Sequence, residues 1–245
     1  MHYVIIACEV MRPELELLSK EARHVPKIFY LRQGLHDTPK ILQKEVQEAI
    51  HRVENEFPNL THIVLGYGLC GQGLSGVKST RCEIIIPRVH DCIPLLIGSR
   101  DTYQKQMDKA CGTYWFSPGW LTYSVIPYVE GRDERMDSYV EKYGQEKAAM
   151  IMGMEEALLS NYTRACLITW SAFGDAWMEK SKEYSARSNL PLETLKGNPL
   201  YLKALLEGPW DTRRFVRIPP TFAIEQSMDE ETVMVPQESS IEKST

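Results

Sequence analysis

Hydrophobic and polar positions follow two periods along this chain. Tyr3–Ala7, Val25–Leu31, His62–Gly66 and Glu83–Pro87 are short, largely apolar runs, the length and composition of buried strands. Between them the spacing turns helical. Leu42, Val46, Ile50, Val53 and Phe57 recur every three to four residues and predict an amphipathic helix from about Lys40 to Phe57. Pro13–Ala22 reads as a second helix, with Pro13 suited to its first turn. Alternating strands and helices predict an α/β fold: a mainly parallel sheet with helices on both faces. In such sheets ligands sit beyond the carboxyl ends of the strands, so the loops leaving the strands are the expected site.

The second half is less regular. Gly112–Tyr123 is rich in aromatic residues around a Ser-Pro-Gly turn, Asp137–Asn161 predicts one long helix, and Ala165–Trp170 predicts a strand. Asn198 before Pro199 is a good start for a helix through Glu207, and Phe215–Pro219 reads as a last strand. Residues 226–245 are polar and acidic, which predicts a disordered tail. Residues 1–225 are expected to form a single α/β domain, with a division into two subdomains near 112–136 as the alternative.

Composition agrees with a globular chain: 43% of the 245 residues are hydrophobic and 25% charged. No run approaches the ~18 apolar residues of a membrane span. The chain begins Met-His-Tyr-Val-Ile-Ile-Ala with no basic leader, so a cytoplasmic protein is expected. Most of the net charge of −5 falls in the tail, so neither nucleic acid nor a membrane is an expected partner. Six cysteines in a large chain with no signal sequence are better read as thiols or metal ligands than as disulfides.

Three of those cysteines follow strands. Cys8 ends the first; facing a helix N-terminus would lower its pKa. Cys70 lies in a loop with Gly68, Gly71, Gln72 and Gly73, whose backbone could approach a ligand closely and present amides to an anion. That loop has neither the dinucleotide-binding fingerprint nor the phosphate-binding P-loop pattern. Cys92 closes Arg88-Val-His90-Asp91-Cys92, and Cys with His is the natural zinc set, with a carboxylate orienting the imidazole. Each element also has a plain structural reading: a buried cysteine, a tight turn, and Asp91 as a helix cap with His90 on the surface.

Taken together they predict one site. Cys8, Cys70 and Cys92 hold a metal, with His90 or solvent as fourth ligand; zinc is preferred and a [4Fe–4S] cluster is the alternative. His90 or Glu9 would move protons, with Asp91 orienting His90. Gly68, Gly71, Gln72, Gly73, Arg88 and Trp120 would bind a small-molecule substrate, Trp120 being carried over the site by its Ser-Pro-Gly turn. The remaining aromatic residues of that stretch read equally well as core. Cys82, Cys111 and Cys166 read as structural.

The segments IIACEVMRPEL, LGYGLCGQGL, IPRVHDCIPLLIGS, GTYWFSPGW and LLEGPWDTRRFVRIPP resemble the domain of unknown function 1638 family over roughly residues 1–225. Cys8, Glu9, Cys70, Gly71, His90, Asp91, Cys92 and Trp120 lie in those segments; Thr221 stands after Pro219-Pro220, where a glycine often follows in the family. The resemblance implies an origin among anaerobic bacteria and methanogenic archaea. It also implies a setting near corrinoid-dependent methyl transfer or one-carbon metabolism, with a corrinoid protein or methyltransferase as partner. A zinc enzyme of the transferase or lyase class is the first expectation. An iron–sulfur lyase and a non-enzymatic accessory subunit of a corrinoid system are alternatives, a cysteine-nucleophile hydrolase is last, and homo-oligomerisation is a further expectation.

Overall fold

A computed structural model describes residues 2–22, 26–124, 131–226 and 234–237. In chain order the elements are β1 (Tyr3–Cys8), α1 (Arg12–Ser19), β2 (Lys27–Leu31), α2 (Pro39–Glu56), β3 (His62–Gly66), β4 (Glu83–Pro87), α3 (Ile93–Ile97), α4 (Arg100–Lys109), β5 (Thr113–Phe116), α5 (Pro118–Tyr123), α6 (Arg132–Tyr143), α7 (Gln145–Ser160), β6 (Arg164–Thr169), α8 (Ala176–Arg187), β7 (Leu192–Lys196), α9 (Leu200–Glu207), β8 (Phe215–Ile218), β9 (Ala223–Gln226) and β10 (Met234–Gln237). The fold is mixed α/β with mostly parallel strands. Two compact units form, one from residues 1–100 and 198–245, the other from 101–197.

The first unit is built on a five-stranded sheet in the order β2-β1-β3-β4-β8. The first four strands are parallel, and β8 pairs antiparallel with β4, Ile84 opposite Ile218. Both faces are covered, as a parallel sheet requires. Val4, Ile6, Ile63, Leu65, Ile84 and Ile86 point to one face, where Leu42, Val46, Ala49, Ile50 and Val53 of α2 cover them. Alternation along the strands sends Ile5, Ala7, Val64 and Ile85 to the opposite face, and these too are fully buried. Complete burial of such a side chain stabilises the fold by about 1.5–3 kcal/mol. The predicted α2 stripe is thus the stripe that packs, with Pro39 opening the helix in its first turn.

The second unit holds a parallel sheet in the order β5-β6-β7, with a core of Tyr114, Phe116, Leu121, Ala165, Leu167 and Leu190. The long helix expected over 137–161 is two helices. Gly144, at φ 83° and ψ 160°, separates α6 from α7 in a conformation that an L-residue with a side chain rarely adopts. Within the expected tail, Met234–Gln237 pairs antiparallel with Ala223–Gln226, and 227–233 and 238–245 lie outside the described residues. Among the described residues no helix is long and apolar enough to cross a membrane.

Candidate functional site

The chain passes from β1 outward to β2, then back past β1 to β3, so the order reverses between β1 and β3. Crevices at the carboxyl ends of strands flanking such a reversal are where open α/β sheets bind ligands. Cys8 is the last residue of β1, and its neighbour Ala7 pairs with Gly66, the last residue of β3. A Cβ on Gly66 would lie 2.7 Å from the Ala7 Cβ, so glycine lets the two strand ends close up here.

The loops leaving β3 and β4 are joined through their backbones. The Leu69 and Cys70 amides donate to the carbonyls of Val89 and His90, each at 3.1 Å. A Cβ on Gly68 would stand 2.6 Å from the Asp91 Cα, so only glycine fits at this crossing. Cys70, Gly71 and Gln72 follow at φ 46°, 63° and 74°. Three successive left-handed residues, two of them not glycine, are unusual; a non-glycine residue held there costs on the order of 1–3 kcal/mol and marks functional positions more often than others.

Electrostatics ties the thiols together. Burial pushes the Cys8 thiol up to about 11; an amide bond from Val10 opposes the shift and nearby Glu9 adds to it. Burial pushes the Cys70 thiol up to about 12, with the charges of Cys8 and Asp91 adding to the shift. Cys92 is raised well above the ordinary thiol value by burial, then by Asp91, Cys70 and Cys8. The three thiols therefore lie in one another's electrostatic field, all free of disulfides. The expectation that a helix start would favour thiolate at Cys8 is corrected: an amide does reach the sulfur, but burial outweighs it. Among the described residues no three His, Cys, Asp or Glu side chains stand ready-made to hold a metal ion.

The other predicted residues surround this cluster in different ways. Asp91 Oδ1 accepts the Ile93 amide at 2.8 Å, fixing the start of α3, while its charge acts on Cys70 and Cys92. His90 is exposed, and its carbonyl takes the Cys70 amide. Glu9 pairs with the Arg12 guanidinium at 3.0 Å, and Arg12 stacks 4.4 Å above the Tyr30 ring. Arg88 Nε donates to the Thr212 and Phe215 carbonyls at 2.9 and 3.3 Å, tying the exit of β4 to the entry of β8. Gly71 and Gln72 are exposed, whereas Gly73 is buried where a Cβ would meet Leu42 at 2.4 Å. Trp120 belongs to the second unit, where its indole donates to the Tyr114 hydroxyl at 3.3 Å. Cys82 and Cys166 are buried and Cys111 is exposed.

One residue at the cluster escapes a reading of the sequence. Tyr67 is 2% exposed, its hydroxyl is buried without a hydrogen-bond partner, and Cys8, Cys70 and Cys92 all act on it electrostatically. The available signal is a tyrosine between Gly66 and Gly68 at a strand end, where a large aromatic residue has no role in making a turn.

Comparison with curated proteins and with solved structures gave no match. One family model, described as a protein of unknown function (DUF1638), matches residues 30–206, a stretch that includes Tyr67, Cys70, His90, Asp91 and Cys92 and begins after Cys8. That match spans well over half of the chain, which therefore belongs to the DUF1638 family.

Proposed function

We propose that this protein is a small-molecule enzyme of the transferase or lyase class whose centre is a thiophilic metal, zinc first, held by Cys8, Cys70 and Cys92. One observation carries the reading: three free thiols from the ends of three neighbouring parallel strands share one electrostatic field. Their surroundings favour a cation. Asp91 raises both Cys70 and Cys92, and Glu9 raises Cys8, so the charged neighbours named at the thiols are carboxylates. A soft divalent ion answers both features, because thiolates prefer it and its charge offsets the carboxylates.

The chain's own groups set the terms. Cys8, Cys70 and Cys92 would hold the metal as thiolates, each giving up its proton and turning its sulfur inward, since among the described residues the thiols do not stand at ligating positions. The amide of Val10 at Cys8 and that of Gly68 at Cys70 favour the thiolate forms. Asp91 keeps α3, and with it Cys92, in position through the Ile93 amide. His90, which is exposed, or Glu9 would move protons. The metal would supply Lewis acidity toward a substrate thiol, carbonyl or water. Corrinoid-linked methyl transfer is the metabolic setting we propose for that chemistry, on the family resemblance alone.

Elemental analysis of the full chain purified without oxygen tests the proposal. We expect about one zinc per chain, lost in each of Cys8→Ala, Cys70→Ala and Cys92→Ala and kept in Cys111→Ala. About four irons per chain with matching sulfide would move the centre to a cluster on the same ligands. Metal-free protein, indifferent to all four substitutions, would refute the metal reading.

A further inference from the structure

α7 is apolar on more than the side it buries. Ala148 and Met152 are its buried residues. Helix α6 grips its carboxylates: the Tyr139 hydroxyl donates to Glu155 at 2.7 Å, Arg135 pairs with Glu155 at 3.4 Å, and Arg132 pairs with Glu156 at 2.5 Å. Met150, Met154 and Leu158 recur every four residues and so line one face, where they are 60%, 65% and 44% exposed. Among the described residues no other helix exposes two large apolar side chains. An apolar helix face left to solvent marks an interaction surface, since a helix apolar all round is normally covered.

The face is shaped to fit itself. Beside the row of Met150, Met154 and Leu158 runs a row of small residues with the same repeat, Ala149, Gly153 and Ala157, all exposed. The first row is a ridge. The second is a groove of the same pitch, open enough that a Cβ on Gly153 would meet nothing within 4 Å. Helices pack by laying such four-residue ridges into each other's grooves. Charge sets the direction. Glu146 continues the ridge at one end and uncharged Asn161 continues the groove at the other, while Glu155 and Glu156 are already engaged by α6. A parallel copy would bring the two Glu146 carboxylates to the same end; an antiparallel copy keeps them apart. We infer that this face of α7 is a homodimer interface. A second copy of the chain crosses it antiparallel about Gly153, so that Met150 lies beside the partner's Ala157 and Leu158 beside the partner's Ala149. A helix face about 24 Å long and about 10 Å wide is smaller than the ~800 Å² per partner of a tight complex, so the pair is reversible. This inference is independent of the metal reading.

Sedimentation velocity on the full chain tests the interface. We expect a reversible monomer–dimer equilibrium with a dissociation constant on the order of 10–100 μM. Met154→Lys puts a charge on a side chain that faces solvent in the monomer. It should leave the helix content and unfolding temperature of dilute protein unchanged and weaken the dimer at least about tenfold. Leu200→Lys, at a 59% exposed apolar position in the other unit, should leave the equilibrium as it is. Met150→Lys and Ala157→Glu should each weaken the dimer, and the chain carrying both should regain it. The antiparallel register sets each new ammonium against a new carboxylate of the other copy. A chain still monomeric at about 200 μM would overturn the proposal, because a pair of this size would have formed. So would a dimer indifferent to Met154→Lys, one weakened as much by Leu200→Lys, or a double variant no stronger than the single ones.

Discussion

Glu54 shows how a single polar residue can hold a loop in this fold. Its Oε1 accepts from the Ser79 hydroxyl at 2.7 Å, the Thr80 amide at 3.0 Å, the Thr80 hydroxyl at 3.1 Å and the Arg81 amide at 3.1 Å. Burial pushes this carboxyl up, but the bonds to Ser79, Arg81 and Thr80 outweigh it and hold the group below its ordinary value of 4.5. A depressed carboxyl stabilises the fold above its unfolded pKa, and that contribution is lost as the pH falls through the lower folded value. Glu54→Gln should therefore reduce stability at neutral pH by about 1–3 kcal/mol, with the gap to the parent closing as the pH falls below about 4. Urea unfolding of both proteins across that range checks it; a gap that stays constant with pH would contradict the assignment. Such residues are hard to read in advance. Val53 announces itself by its spacing, whereas the partners of Glu54 lie some twenty-five residues on, and nothing local links them. The positions of Cys8, Cys70 and Cys92 after strands were legible for the opposite reason, since they need only local patterns. That burial would keep the thiols neutral depends on contacts between strands.

At the scale of elements, β1, β3 and β4 were legible as apolar runs, and α2 by its periodic stripe. The partner strand β7 was not: its Leu-Glu-Thr-Leu-Lys is half-exposed along its length and carries little apolar signal. Nor could the sequence show that β8 runs antiparallel to β4, because strand composition says nothing of direction. Glycines mark the ends of these elements with different weight. Gly98 terminates α3 at φ 84°, and a Cβ there would meet the Asn198 carbonyl oxygen at 2.1 Å. Gly153 lies inside α7 with nothing within 4 Å of an added Cβ. Gly98→Ala should thus lose about 2 kcal/mol or more, the left-handed penalty plus the displaced backbone. Gly153→Ala should gain about 1 kcal/mol through helix propensity alone. Thermal unfolding of the two variants would show opposite shifts; a neutral Gly98→Ala would mean that the α3 end is not held as described.

At the scale of the whole molecule, all three strand-end thiols fall in one compact unit, and the order reversal between β1 and β3 falls there too. The α/β class followed from alternating periods, but the reversal is a property of strand order, which periodicity does not encode. The division into units also puts Trp120 with the second sheet, although its chain position after an aromatic strand reads like that of the cysteines after theirs. The central claim, that Cys8, Cys70 and Cys92 act as one site, meets its most direct test in metal protection of the thiols. The folded chain would be alkylated at about pH 9 over a long time course, because the raised thiols supply little thiolate, with and without one equivalent of zinc, and the labelling rate of each cysteine followed by peptide mapping. The account predicts that zinc suppresses labelling of Cys8, Cys70 and Cys92 together while exposed Cys111 reacts in both cases. Labelling of the three that zinc leaves unchanged, or that it changes at one cysteine alone, would contradict a shared site.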